Sequence, residues 1–63
     1  MKKEQIEPFW GKKVKLVQYP NFILIGTIEE VFDDCLRFTS TQATSLIDFK
    51  AIKEIQEKIN GGY

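Results

Sequence analysis

The chain has 63 residues, and its nine basic and nine acidic side chains cancel to a formal net charge of zero. A chain this short makes one domain, residues 1–63, and such domains often need a disulfide, a metal or a partner subunit for stability. Cys35 is the single cysteine and histidine is absent, which excludes an internal disulfide and the usual zinc sites. The balanced charge gives nucleic-acid binding no general support, so that any such function must rest on where charges lie.

The sequence also indicates where the protein works. No apolar run approaches the ~20 residues of a membrane span, and the polar first five residues lack the apolar core of a signal peptide. A lone thiol suits a reducing compartment. We therefore expect a cytoplasmic protein that uses no membrane, no cofactor and no small-molecule substrate.

The first element is predicted in residues 2–10. Ile6, Phe9 and Trp10 recur at helical spacing, while Pro8 is compatible only with the start of a helix. This pattern predicts a short helix or turn that places Phe9 and Trp10 on the body of the domain.

A first strand and turn follow. From residue 13 to residue 18 apolar and polar side chains alternate, with Val14 and Leu16 on one face and Val17 breaking the pattern. Tyr19-Pro20-Asn21 has the composition of a tight turn, because proline presets φ and asparagine tolerates left-handed backbone.

Residues 22–33 carry the longest β signal. Phe22, Leu24, Gly26 and Ile28 share one face of this strand, and Ile23, Ile25, Thr27 and Glu29 share the other. Glycine inside a strand marks a bend or a close backbone approach. The period of two slips near Glu29-Glu30, which predicts a bulge.

Three shorter strands complete the prediction, separated by polar turns. They centre on Leu36 and Phe38, on residues 43–47, and on residues 51–56 after the tight connection Asp48-Phe49-Lys50, and the remaining tail is residues 57–63. The fold class is therefore all-β: a small, five-stranded, strongly bent antiparallel barrel in residues 13–56, preceded by a short N-terminal helix.

The stretch Gly26-Thr27-Ile28-Glu29-Glu30-Val31-Phe32-Asp33 resembles a family motif, Gly-x-Ile-Glu-x-Phe-Asp with one residue inserted. The same offset persists to Leu46-Ile47 and Ala51-Ile52. Over residues 13–56 the chain resembles the Sm-like family, and most closely its bacterial Hfq branch. The resemblance implies a homo-oligomeric ring in which the fourth strand of one protomer pairs with the fifth strand of the next. It also implies binding of single-stranded RNA, often uridine-rich, at the pore.

The resemblance places a pore-side RNA contact in two turns, at Asp34 and Cys35 and at Phe49 and Lys50, with Arg37 nearby. Hfq has a glutamine and an aromatic residue in the first turn and Lys-His in the second, so this chain departs at all four positions. Phe49 could stack on a base and Lys50 could contact a phosphate. In the alternative interpretation Phe49 closes the barrel end, Lys50 is a solvated charge, and Asp34 repels phosphate.

A second RNA contact is implied on the opposite face, at positions from the first two strands. These positions are Val17, Asn21, Phe22, Ile23 and Leu24. The alternative, which we favour from the sequence, is that the N-terminal helix covers Ile23 and Ile25 with Phe9 and Trp10.

Two functions follow as hypotheses. The first is an RNA-binding ring, a possible RNA chaperone or regulator. The second is a structural or protein-interaction barrel without RNA, which the zero net charge, the acidic turn and the Ile23/Ile25 pair favour. An enzyme is least expected, because no histidine and no nucleophile–base pair is evident. Acidic residues near Asp33 and Asp34 are interpreted as a solvated edge, and we expect no metal.

Overall fold

The computed structural model describes residues 1–58, which form five antiparallel strands in one sheet and a short N-terminal helix. The elements in chain order are α1 Lys3–Ile6, a 3-10 helix Glu7–Phe9, β1 Lys13–Gln18, β2 Phe22–Val31, β3 Cys35–Thr39, β4 Thr44–Asp48, a 3-10 helix Phe49–Ala51, and β5 Ile52–Glu57. The predicted fold class and all five strands are confirmed. Glu57, predicted to belong to the tail, lies in β5, and the tail from residue 59 lies outside the described residues.

The strand order is β4-β3-β2-β1-β5, and every neighbouring pair is antiparallel. Ile47 of β4 and Ile52 and Ile55 of β5 are all buried in one apolar cluster, so the sheet curves until both ends cover the same core. The cluster consists of Ile6, Val14, Leu16, Ile28, Val31, Leu36, Phe38, Ile47, Phe49, Ile52 and Ile55. Within the described chain, β4 pairs with β3 alone and β5 with β1 alone, which leaves one edge of each strand unpaired.

β2 contains two features that bend a sheet, a close backbone approach at Gly26 and a bulge. A Cβ atom at Gly26 would meet the Thr39 carbonyl oxygen at 2.2 Å, so glycine permits an approach of β3 that no other residue allows. Farther along, the β2–β3 register shifts between Ile28 and Glu30. The slip in the sequence pattern is therefore a bulge, as predicted.

The residues that follow the N-terminal helix are anchored to the second half of β2 rather than the first. Ile6 is fully buried, and Phe9 is partly buried against the core. The Trp10 Nε1 donates to the Glu29 carbonyl oxygen at 3.1 Å. Ile23 and Ile25 remain 59% and 45% exposed. The prediction that the helix covers these two isoleucines is therefore wrong, because the helix is held at the far end of the same strand.

Candidate functional site

The two turns predicted to carry the pore-side contact lie side by side. The Phe49 backbone nitrogen donates to the Asp34 carbonyl oxygen at 2.9 Å. Cys35 and Asp48 are register partners in the β3–β4 pair. The Asp48 carboxylate accepts a 2.8 Å hydrogen bond from the Lys50 backbone nitrogen and so caps the 3-10 helix. Strand pairing thus joins four of the five predicted residues, Asp34, Cys35, Phe49 and Lys50.

Phe49 has a different environment from the one that base stacking requires. Its side chain is 6% exposed and belongs to the core cluster. The 3-10 helix after β4 turns Phe49 inward, where it closes the end of the barrel. Lys50, by contrast, is exposed. Burial thus supports the alternative interpretation of Phe49, because stacking on its ring would require the side chain to leave the core.

These turns form one wall of a cleft of about 360 Å³, and the first residues of the chain form the other. The charged residues that line it are Lys2, Lys3, Lys50, Glu4, Asp33, Asp34 and Asp48. One ion pair crosses it, between Lys3 Nζ and Asp33 Oδ1 at 3.3 Å. Both partners are solvent-exposed, so the pair contributes little to stability. An anion in the cleft would therefore meet both positive and negative charges, because carboxylates lie beside Lys50.

Cys35 borders this region as a half-buried free thiol. Desolvation raises the pKa of Cys35, and the charge of Asp34, a hydrogen bond to Asp34 and the charge of Asp48 raise it further. A thiol with a raised pKa is protonated near neutral pH, and the thiolate is the reactive form. The environment of Cys35 therefore disfavours the nucleophilic form of the thiol.

Arg37 does not line the cleft. It lies two residues beyond Cys35 on β3, and its Nε is 3.6 Å from the Glu29 Oε1 across the strand pair. Because both side chains are partly exposed and only Nε lies near Glu29, the terminal nitrogens of the guanidinium are open to a phosphate. The guanidinium is thus held over the bulge of β2, apart from the two turns.

The residues of the opposite face lie at the β1–β2 end of the sheet. Val17 and Ile23 are register partners, as are Gln18 and Phe22. Val17 is buried, Leu24 packs against the core and Asn21 is exposed. Phe22 is 63% exposed and Ile23 is 59% exposed. These two side chains are therefore available for contact, whereas Val17 and Leu24 support the sheet.

Three exposed apolar residues were not singled out from the sequence. Tyr19, in the β1–β2 turn, is 60% exposed, Phe32, just after β2, is 42% exposed, and Leu46, on the edge strand β4, is 68% exposed. An aromatic side chain in the turn between two adjacent strands has few neighbours that could cover it. The position of Tyr19 in such a turn could therefore have predicted its exposure. Leu46 alternates correctly with Ile47, so its outward position follows from the strand period, but its exposure depends on the missing neighbour of β4.

Within residues 1–58 no group of three or more metal-binding side chains is close enough to hold an ion. No helix in the same part of the chain is both long and apolar enough to cross a membrane. Comparisons with models of protein families, with curated proteins and with solved structures each give no match to this chain. Function is therefore inferred from the geometry of this chain and from its resemblance to the Sm-like family.

Proposed function

We propose that the chain assembles into a closed Sm-like ring that binds single-stranded RNA. The observation that carries this proposal is the pair of free sheet edges. β4 and β5 have similar lengths, and each has an unpaired side among the described residues. An unpaired edge exposes backbone donors and acceptors that readily pair with another chain. Pairing β4 with β5 of the next copy satisfies both edges with one repeated contact, and such head-to-tail contacts close into rings when the rotation permits.

Side chains beside the edges support the same pairing. Leu46 on β4 is 68% exposed, and a strand added to this edge would lie about 4.8 Å away, with side chains against Leu46. Ile47, on the other face of β4, is already buried. A neighbour at this edge would extend the core sideways, which benefits a domain of only 63 residues.

Fewer observations support RNA binding than support the ring. In the ring, each protomer would present the turn that contains Asp34 and the 3-10 helix that contains Lys50 at the same end. Lys50 is exposed and contributes a phosphate contact, and repetition around a ring multiplies weak contacts through effective concentration. The carboxylates of Asp34 and Asp48 oppose this attraction. We therefore expect modest affinity that falls steeply with salt.

Fluorescence anisotropy with labelled oligo(U) and oligo(A) at two salt concentrations tests the RNA proposal. Binding at micromolar protein in low salt, weakened by Lys50→Gln, supports it. Lys15→Gln is the matched control, because Lys15 lies outside the cleft on β1, which is paired on both sides and takes no part in the proposed ring contact. Absence of binding to both oligonucleotides in low salt contradicts it.

A protein-interaction barrel is the second candidate, favoured by the uncovered outer face of β2. Ile23 and Ile25 share the face of β2 that points away from the core, and they are 59% and 45% exposed. Contiguous exposed apolar residues often mark a contact site. A partner that survives nuclease treatment and is lost with Ile25→Glu supports this function over the first.

A further inference from the structure

A groove on the outer face of the sheet has the features of a binding site, and none of the residues considered above for RNA lines it. Its volume is about 430 Å³, within the usual range for small-ligand sites. It runs from Lys13 on β1, across Ile25 and Thr27 on β2, to Thr39, Ser40 and Thr41 at the end of β3. Two inter-strand spacings separate β1 from β3, which makes the groove roughly 10 Å wide.

The floor of the groove is the backbone at Gly26, where β2 lies close to the Thr39 carbonyl oxygen of β3. The register pairs Thr27 with both Lys13 and Thr39, so these three side chains project from one row of backbone positions across three strands. This row depends on strand pairing rather than on a flexible loop. Fixed positions lower the entropy cost of binding.

Two of the four hydroxyl groups in the groove already have hydrogen-bond partners within the protein. Ser40 Oγ donates to the Ala43 carbonyl oxygen and accepts from the Gln42 and Ala43 nitrogens, and Thr39 Oγ1 shares a 3.3 Å hydrogen bond with Thr44 Oγ1. Within residues 1–58, the hydroxyls of Thr27 and Thr41 have no hydrogen bond, and Lys13 Nζ has no ion pair. The groove thus presents one positive charge and two free hydroxyls.

No acidic residue is among those that line the groove, in contrast to the cleft at Lys50. An anion is therefore favoured here, and hydroxyl donors beside a lysine suit phosphate oxygens. Ile25 supplies an apolar wall, 45% exposed, that suits the carbon face of a sugar. The combination indicates a ligand with a phosphate at one end and a sugar at the other.

We propose that this groove binds a sugar phosphate, with the phosphate at Lys13 and Thr27 and the sugar between Ile25 and Thr41. The identity of the natural ligand rests on the proposed function. If the chain binds RNA, the sugar phosphate is a backbone unit of that RNA. The strand would then cross the outer face of the sheet as well as the end of the barrel. The chemistry itself does not depend on ring formation.

Amide NMR titration with ribose 5-phosphate, inorganic phosphate and ribose tests the site directly. Ribose 5-phosphate is expected to shift the amides of Thr27, Thr39 and Thr41, and ribose alone is expected to shift them least. Lys13→Gln should weaken binding at least about tenfold, because a charged contact is lost. Lys53→Gln is the control that should leave it unchanged, and added salt should weaken binding in the wild type.

No shift of these three amides with ribose 5-phosphate up to about 10 mM, tenfold above the dissociation constant of a weak 1 mM site, overturns the inference. Titration with oligo(U) separates this result from failure of the proposed function. If RNA binds without shifting the groove amides and ribose 5-phosphate does not shift them either, the groove is overturned and the RNA function stands. Shifts with ribose 5-phosphate and none with RNA support the groove and contradict the RNA function.

Discussion

A Cβ atom at Gly26 would lie 2.2 Å from the carbonyl oxygen of Thr39, closer than any side chain can approach. Because the obstructing atom belongs to the backbone, it cannot rotate away, and β2 and β3 must separate. We expect Gly26→Ala to lower the free energy of unfolding by about 3 kcal/mol, at the upper end for overpacked sites. Urea denaturation at a fixed protein concentration measures this.

Gly11→Ala is the matched control. Gly11 has φ of 80° and nothing within 4 Å of an added Cβ, so alanine meets strain in φ but no clash. Its cost should be about 1 kcal/mol. A Gly26→Ala protein as stable as Gly11→Ala would contradict the close approach of β2 and β3.

Phe49 allows structure and binding to be separated by one substitution. Its burial predicts that Phe49→Leu lowers stability by about 1 kcal/mol, since an apolar side chain of similar size is retained. RNA affinity should then stay within twofold of the wild type. If bases stack on Phe49, the same variant should instead lose about 1–3 kcal/mol per stacked base. Thermal unfolding and RNA anisotropy on one preparation distinguish these outcomes.

Lys50→Gln is expected to behave in the opposite way. Lys50 is exposed, so its replacement should change stability by no more than about 0.5 kcal/mol. RNA affinity should fall, and the slope of log affinity against log salt should become shallower, because each protomer loses one phosphate contact. An unchanged salt slope would show that Lys50 does not contact the RNA.

The thiol of Cys35 gives a prediction about pH. Desolvation and the neighbouring Asp34 and Asp48 raise its pKa, so less thiolate is present at any given pH. Alkylation should therefore reach half its maximal rate above the pH typical of a free cysteine. Asp34→Asn should move that midpoint down, because it removes a negative charge beside the thiol. A midpoint at or below the ordinary cysteine value would show that the thiol lies in a different environment.

Leu46 and Ile23 provide a matched pair for the assembly. Both are exposed aliphatic side chains, 68% and 59%, and only Leu46 lies on a strand at the edge of the sheet. Leu46→Glu should weaken the oligomer, since it places a charge against an incoming β5 that already carries Glu54 and Glu57. Ile23→Glu should leave the oligomer intact. Equal effects of the two changes would place the contact elsewhere.

Local patterns were sufficient to predict much of the fold. The alternation of apolar and polar residues predicted the two faces of β1 and β2, and the break in that alternation at Glu29-Glu30 predicted the bulge. Both features depend on neighbours along the chain. The environments of Phe49 and Ile23 were predicted less well. Whether an aromatic residue after a strand turns inward depends on the space that the closed sheet leaves. Whether the helix covers Ile23 depends on tertiary contacts such as that between Trp10 and Glu29.

Within the candidate site, the sequence and the resemblance together predicted which turns meet, and the alternative interpretation included repulsion of phosphate by Asp34, but the contribution of Asp48 was not predicted. The contact between Asp34 and Phe49 follows from antiparallel pairing of β3 and β4, which the pattern already required. The acidic balance of the cleft arises because Asp33 and Asp48 approach from different turns. The groove at Lys13 was not predicted at all, since its row of side chains comes from three strands and becomes visible only with their register.

In the proposed ring, the free β4 and β5 edges join copies of this chain. Sedimentation velocity of the purified protein over a wide range of concentration measures whether such an assembly forms. We predict one boundary at a constant integral multiple of the 7.3 kDa chain, with no monomer at the higher concentrations. A single 7.3 kDa species at every concentration would contradict the ring and leave only the barrel.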